Sequence, residues 1–183
     1  MVSAHLGNIF SVLHHHHAAE DDLLWPMLRA RVSLSEQDVA RMQDEHAAIA
    51  EPMENVQSLR KLWAATADSE LAEKLIAPVN DLSARVDAHL EDEEQHIVPL
   101  INAHITAAEW QECLDRGAAF LTPKNVRFTL AFGGFVLEDA SANERRRFLA
   151  GIPLPPRLLL RLFGERALRS YRTRIYGSPA TTS

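Results

Sequence analysis

Cysteine is nearly absent from this chain: of its 183 residues only Cys113 is one. No disulfide framework can form within the chain, and a cytoplasmic location is the default expectation. Long apolar runs are missing as well, so no segment reads as a transmembrane span of about eighteen residues or more. No basic stretch leads into an apolar one at the start, so no signal peptide is expected. The sequence has no Gly-rich phosphate loop, no G-x-S-x-G elbow and no Cys-x-x-Cys pair, which removes the common phosphate, serine-nucleophile and dithiol chemistries. Runs of β-branched residues are scarce, while Ala, Leu, Glu and Arg abound, so the composition favours an all-α fold. With 46% hydrophobic and 24% charged residues, the chain can build a core and is not expected to be disordered. Its length suits one ordinary domain, or one domain with an appendage.

Charge divides the chain. Residues 1–123 carry eight basic and 21 acidic side chains, and residues 124–183 carry 11 basic and four acidic, for a net charge of −6. The acidic part would attract cations and repel nucleic acid, and the basic part contains no recognisable nucleic-acid module. No nucleic-acid partner is expected.

The richest pattern is a motif that occurs twice. His16, Glu20 and Pro26 have the same spacing as His89, Glu93 and Pro99, and each proline is followed by an apolar pair, Met27-Leu28 or Leu100-Ile101. On an α-helix, positions i and i+4 share a face about 6 Å apart. An imidazole and a carboxylate so placed can grip one ion or the two ends of a dinuclear centre, and two such helices facing each other make a bundle metal site. The plain alternative is a histidine-rich solvated helix face. His17 with Asp21 repeats the spacing one residue out of phase and competes with His16 and Glu20.

Around the motif the sequence reads as helices. Residues 1–31 form the first, with Leu6, Ile9, Phe10, Leu13, Leu24 and Leu28 on its apolar stripe and a kink expected at Pro26. Ser33 to Glu36 is a capping box that opens a second helix, bent at Pro52 and fading near Ala67. That helix places His46 in line with Val39, Met42, Ile49 and Met53, either as a ligand or as a core histidine bonded to a neighbour. Asp68 or Ser69 caps a third helix to about His104, perturbed at Pro78 and Pro99. His96 pairs outward with Asp92, and His5, His14, His15 and His104 read as surface groups or outer partners. Capping boxes at Thr106–Glu109 and Ser141–Glu144 open shorter helices, and another is expected over 123–139 although Gly133-Gly134 opposes it. After the break at Pro153, Pro155 and Pro156, Arg157 to Tyr176 is a basic amphipathic helix. It either packs on its own bundle or docks on a partner or membrane surface. Residues 1–105 are thus expected to form a helical bundle and 106–183 a C-terminal helical extension.

Imidazole and carboxylate ligands without thiolate suit iron, manganese or zinc. A lone cysteine argues against structural zinc, and carboxylates in an antiparallel bundle favour di-iron or di-manganese. The ligand set is His16, Glu20, His46, His89 and Glu93, with Glu94, His17 or solvent completing it. The rival reading is a metal-free helical interaction protein whose basic tail docks a partner or a membrane surface.

On HHHHAAEDDLLWP, Glu45-His46 and HLEDEEQHIVPL, residues 1 to about 105 resemble the hemerythrin-like, or HHE cation-binding, family, and residues 123–177 resemble the extension of its actinobacterial type. The resemblance implies a helical bundle with a non-haem di-iron centre that binds or senses dioxygen, nitric oxide or peroxide, with Glu20 and Glu93 bridging. Enzymatic peroxide handling is left open. It also implies that the family's first helix, with its further histidine, has no counterpart here, leaving three long helices of the usual four. His5 does not match that ligand, and Ala50 stands where oxygen carriers place another. The C-terminal helices or a second copy in a homodimer are expected to fill the gap.

Overall fold

The computed structural model describes residues 1–32, 36–121 and 125–177, with the side chains of 36–38 left aside. Every regular element among the described residues is helical, as composition leads one to expect. The capping box at Ser33–Glu36 lies outside the described residues.

The chain divides into two compact units, Ser3–Phe120 and Leu121–Ser183 with Met1–Val2. The first contains three long rods. Rod one is α1 (Val2–Ala19), a π-helical turn (Glu20–Leu24) and α2 (Trp25–Arg31). Rod two is α3 (Glu36–Thr66). Rod three is α4 (Ser69–Asp92), a second π turn (Glu93–Ile97) and α5 (Val98–His104). The α3–α4 corner turns through Ala67 at φ 53°, and the Asp68 side chain accepts the Glu70 N–H at 2.8 Å as an N-cap.

Both π turns precede a proline, and the local chemistry accounts for them. In a continuous α-helix the Pro26 ring would press on the Asp22 carbonyl, four residues back, and leave it without a donor. Instead the Trp25 N–H bonds to the Glu20 carbonyl, and Pro26 falls in the first turn of α2, where a missing N–H matters little. Val98, Glu93 and Pro99 repeat the arrangement. The expected breaks at Pro26 and Pro99 are therefore widened turns inside otherwise continuous rods. Pro52 and Pro78 lie inside α3 and α4 with no such turn.

Two apolar clusters hold the rods. Phe10, Ile49, Val56, Leu75 and Leu82 form one, with Leu6, Leu13, Met53, Trp63 and Val86 packed on it. Leu24, Trp25, Leu28, Val39, Met42, Ile97 and Cys113 form the other. Ile9 is exposed, so the α1 stripe runs through Leu6, Phe10 and Leu13 and leaves Ile9 off it. Along each rod the clusters are separated by polar residues: 17 and 20 in the first, 46 in the second, 89 and 93 in the third. Rods one and three run parallel and α3 antiparallel, because rods one and three pass from the first cluster (Phe10; Leu82) to the second (Leu24; Ile97), while α3 passes from the second (Val39, Met42) to the first (Ile49, Val56).

A further helix, α6 (Ala107–Gly117), opens with the expected capping box, Thr106 and Glu109 bonding reciprocally. Its Cys113 enters the second cluster, so the first unit extends past 105 to Phe120. Arg31 donates to the His104 carbonyl at 2.8 Å and to both carboxylate oxygens of Glu109, which ties the ends of α2, α5 and α6 together.

The second unit holds α7 (Val126–Glu138), α8 (Ala142–Gly151) and α9 (Leu154–Tyr176). The Ser141–Glu144 capping box is formed. Helix α9 begins at Leu154, earlier than Arg157, because Pro155 and Pro156 fit its first turn. Gly133 and Gly134, which oppose a helix by propensity, are where α7 meets α9. A Cβ on Gly134 would stand 2.6 Å from the Gly164 carbonyl oxygen. Small residues on both helices permit the approach.

Candidate metal centre

The polar layer between the two apolar clusters gathers the repeated motif. His16 and His17 close α1 and Glu20 opens the first π turn; His89 nears the end of α4 and Glu93 opens the second. His46 faces them from α3. All five residues expected from the sequence, His16, Glu20, His46, His89 and Glu93, come together here, and His17 joins them. His17, Glu20, His46, His89 and Glu93 are each at most 8% exposed.

The imidazoles pack tightly. His17 stacks on His46 with centroids 4.1 Å apart and planes at 11°, while His89 stands edge-on to His46 at 4.9 Å and to His17 at 5.2 Å. His16 reaches in from the rim: its side chain is 39% exposed, yet its Nε2 lies 3.4 Å from Glu20 Oε1 and 3.7 Å from Glu93 Oε2. His46 Nε2 is 3.5 Å from Glu20 Oε2 and His89 Nε2 is 3.9 Å from Glu93 Oε2.

The outer nitrogens are fixed. His46 Nδ1 donates to Asp21 Oδ1 and His89 Nδ1 donates to Glu45 Oε2, each at 3.0 Å. A carboxylate accepts, so each Nδ1 carries the proton and each Nε2 presents a lone pair inward. Arg41 holds Glu45 at 3.1 Å and Asp92 at 2.5 Å. The inner atoms have no such partner. Nε2 of His16, His17, His46 and His89 and Oε2 of Glu20 are buried without a hydrogen bond, in an interior where orphaned polar atoms are rare and costly.

Electrostatics agree with a site prepared for cations. Burial first, then the neighbouring imidazoles, drives the His17 pKa down to about 2. Burial likewise lowers that of His46, against the pull of Asp21. Both imidazoles are neutral at ordinary pH. Burial and then the adjacent Glu93 carboxylate push Glu20 up to about 10. Glu93 is held below its usual value: burial opposes its ionisation, but His16, His89 and a hydrogen bond from Glu20 outweigh burial. Two overlapping sets have ligand atoms within 4.8 Å of one another and can each hold a metal ion: His17, His46 and His89, and Glu20, His46, His89 and Glu93.

A protein-family comparison matches residues 2–101 to the hemerythrin HHE cation-binding domain. The chain belongs to the hemerythrin HHE family. Comparison with curated proteins found no match, and comparison with solved structures found none either. The HHE match covers the first two rods, the third as far as Ile101, and every residue of the layer. Of the other residues weighed from the sequence, Glu94, His14, His104 and Ala50 are exposed. His96 pairs outward with Asp92 at 3.1 Å, and His15 Nδ1 donates to the Ser11 carbonyl at 2.8 Å. Asp21 serves His46, although its spacing suggests His17. Glu45 is the residue that spacing alone misses. Its signal is adjacency: next to an inward His46 on α3, it must face sideways toward a neighbouring rod.

Proposed function

We propose that the polar layer holds a non-haem metal centre, a pair of iron ions with manganese or zinc as the lesser fits, and that the protein binds or senses dioxygen, nitric oxide or peroxide there. The observation that carries this reading is the gathering of the unbonded Nε2 atoms of His17, His46 and His89 with the Glu20 Oε2 in one buried layer, with two of those imidazoles oriented from behind by Asp21 and Glu45. A histidine cluster built only for packing would bond its inner nitrogens. His17, His46 and His89 would serve one ion, and His16 with the carboxylates of Glu20 and Glu93 would reach the other. Bound iron would supply redox chemistry toward a small oxidant. The chain's own part is to keep the imidazoles neutral, to hold two carboxylates between them, and to shield the layer by the clusters around Phe10 and Trp25. The fit of iron over zinc rests on the oxygen-rich half of the donor set.

Metal analysis of untagged protein, with an absorption spectrum, tests the proposal. About two irons per chain and near-ultraviolet absorption of ferric iron are expected, both lost in His89→Ala. Absence of any metal enrichment would refute it, and a chain loaded with zinc alone would refute the redox assignment.

A further inference from the structure

The second unit carries a surface that the metal centre does not use. Between α7 and α9 lies a cleft of about 580 Å³ whose lining includes Arg127, Arg166, Arg174, Ser170 and Phe163. Its three arginines make no hydrogen bond or ion pair among the described residues, whereas Arg169 is paired with Glu165 and Arg172 with Glu138. Beside the cleft, Leu154, Leu158 and Leu162 recur every four residues at 75%, 58% and 63% exposure. The face of α9 that packs inward is a different one, formed by Leu160, Gly164 and Leu168. Helix α9 is thus apolar on two sides, and only one is covered within its unit.

We propose that this outer face of α9 docks on an anionic phospholipid membrane, with a headgroup phosphate taken into the cleft between Arg127, Arg166 and Arg174. Charge complementarity selects the partner: residues 124–183 carry 11 basic side chains against four acidic ones, suited to an anionic leaflet. The leucine row separates a membrane from other polyanions. A nucleic-acid backbone or an acidic protein segment would engage the arginines but leave Leu154, Leu158 and Leu162 in water. A bilayer presents phosphates and an apolar phase a few ångströms apart. No helix among the described residues is long and apolar enough to cross a membrane, so the contact is one of lying in the interface.

Sedimentation of the full chain with vesicles tests this. Binding is expected to phosphatidylglycerol–phosphatidylcholine vesicles, to fall steeply with added salt, and to be far weaker with phosphatidylcholine alone. Arg166→Gln with Arg174→Gln removes two charges without adding any, and at roughly fivefold for each lowers affinity by about 25-fold. Leu158→Ser with Leu162→Ser lowers it by about tenfold or more, since each leucine loses an apolar phase to enter. All four positions are exposed, and unchanged helical circular dichroism verifies the fold. Vesicle affinity that survives either pair would overturn the proposal, as would equal binding to zwitterionic vesicles. So would full competition by millimolar inorganic phosphate or tighter capture of duplex DNA, which would assign the arginines to a soluble anion or to nucleic acid.

Discussion

Glu45 touches no interior atom of the candidate centre, and for that reason its replacement separates a metal site from a packed histidine cluster. Its Oε2 accepts the His89 Nδ1 proton at 3.0 Å, and its Oε1 accepts from Arg41 at 3.1 Å. In Glu45→Gln one accepting oxygen becomes an amide NH2 that only donates; Arg41 keeps Asp92, and the acceptor for His89 Nδ1 is lost or reduced to a neutral carbonyl. The imidazole is then free to rotate or to change tautomer, and its Nε2 is no longer held as a lone-pair donor. Loss of such an outer partner typically weakens metal binding by about 10- to 100-fold. Glu45 keeps 31% of its side chain in solvent while His89 keeps 1%, so water can partly replace the lost acceptor and the low end applies. An affinity loss of about tenfold is expected, or about 1.4 kcal/mol. Competition of iron(II) or manganese(II) between protein and a chromophoric chelator measures it. Affinity within threefold of the parent would mean that His89 is not a ligand held by Glu45.

Three further outcomes follow from the same geometry. Stripping metal with a chelator lowers the thermal midpoint, since a ligand at a hundred times its Kd contributes about 2.7 kcal/mol to the folded state; a midpoint unmoved by chelation, with metal first shown present, would contradict the site. Gly134→Ala destabilises the second unit by about 1–3 kcal/mol, because its Cβ meets the Gly164 backbone, whereas Gly133→Ala meets only the tips of Leu160 and is nearly neutral once its gain in helix propensity is counted; denaturant unfolding of both variants decides, and equal effects would refute the close approach. Arg31 and Thr106 hold the Glu109 pKa well below its ordinary 4.5. That stabilisation is complete above the unfolded value and is lost as pH falls from there through the lower folded value, so the deficit of Glu109→Gln, read as a thermal midpoint, shrinks progressively below about pH 4.5 and would stay constant if the contacts were absent.

The rods and the gathering of the five expected residues in one layer were legible because both rest on periodicity. His16, Glu20, His89 and Glu93 follow from i, i+4 spacing, and His46 from its place among Val39, Met42 and Ile49. The capping boxes at Thr106 and Ser141 are local chemistry and appear as read. What spacing could not show is how adjacent residues divide between neighbours. His16 and His17 looked like competitors because one α-helical face admits only one of them. The layer sits where three rods meet, so His17 is buried among imidazoles while His16 reaches over from the rim. Gly133-Gly134 weighed against a helix that forms nonetheless: propensity is local, and the gain from close contact with Gly164 is tertiary. Ile9 was a stripe residue by count alone, and Phe10 beside it took the interior position.

The two copies of the motif are alike in sequence and unequal in use, and the difference runs through the π turns. Each turn starts at its glutamate, and i to i+5 bonding sets successive side chains closer in angle than the roughly 100° of an α-helix. In the first copy this lets Glu20 face the interior while Asp21 stays near enough to take His46 Nδ1 from across the rod boundary. In the second copy Glu94 occupies the place of Asp21 and is exposed; His89 is held by Glu45 from α3. The carboxylates therefore pass around the bundle, rod one fixing the imidazole of rod two and rod two fixing that of rod three. His46 and His89 are each positioned by a helix other than their own. The layer's geometry is thus set by how the three rods pack, and the Phe10 and Trp25 clusters that clamp it on either side are as much a part of the centre as the histidines.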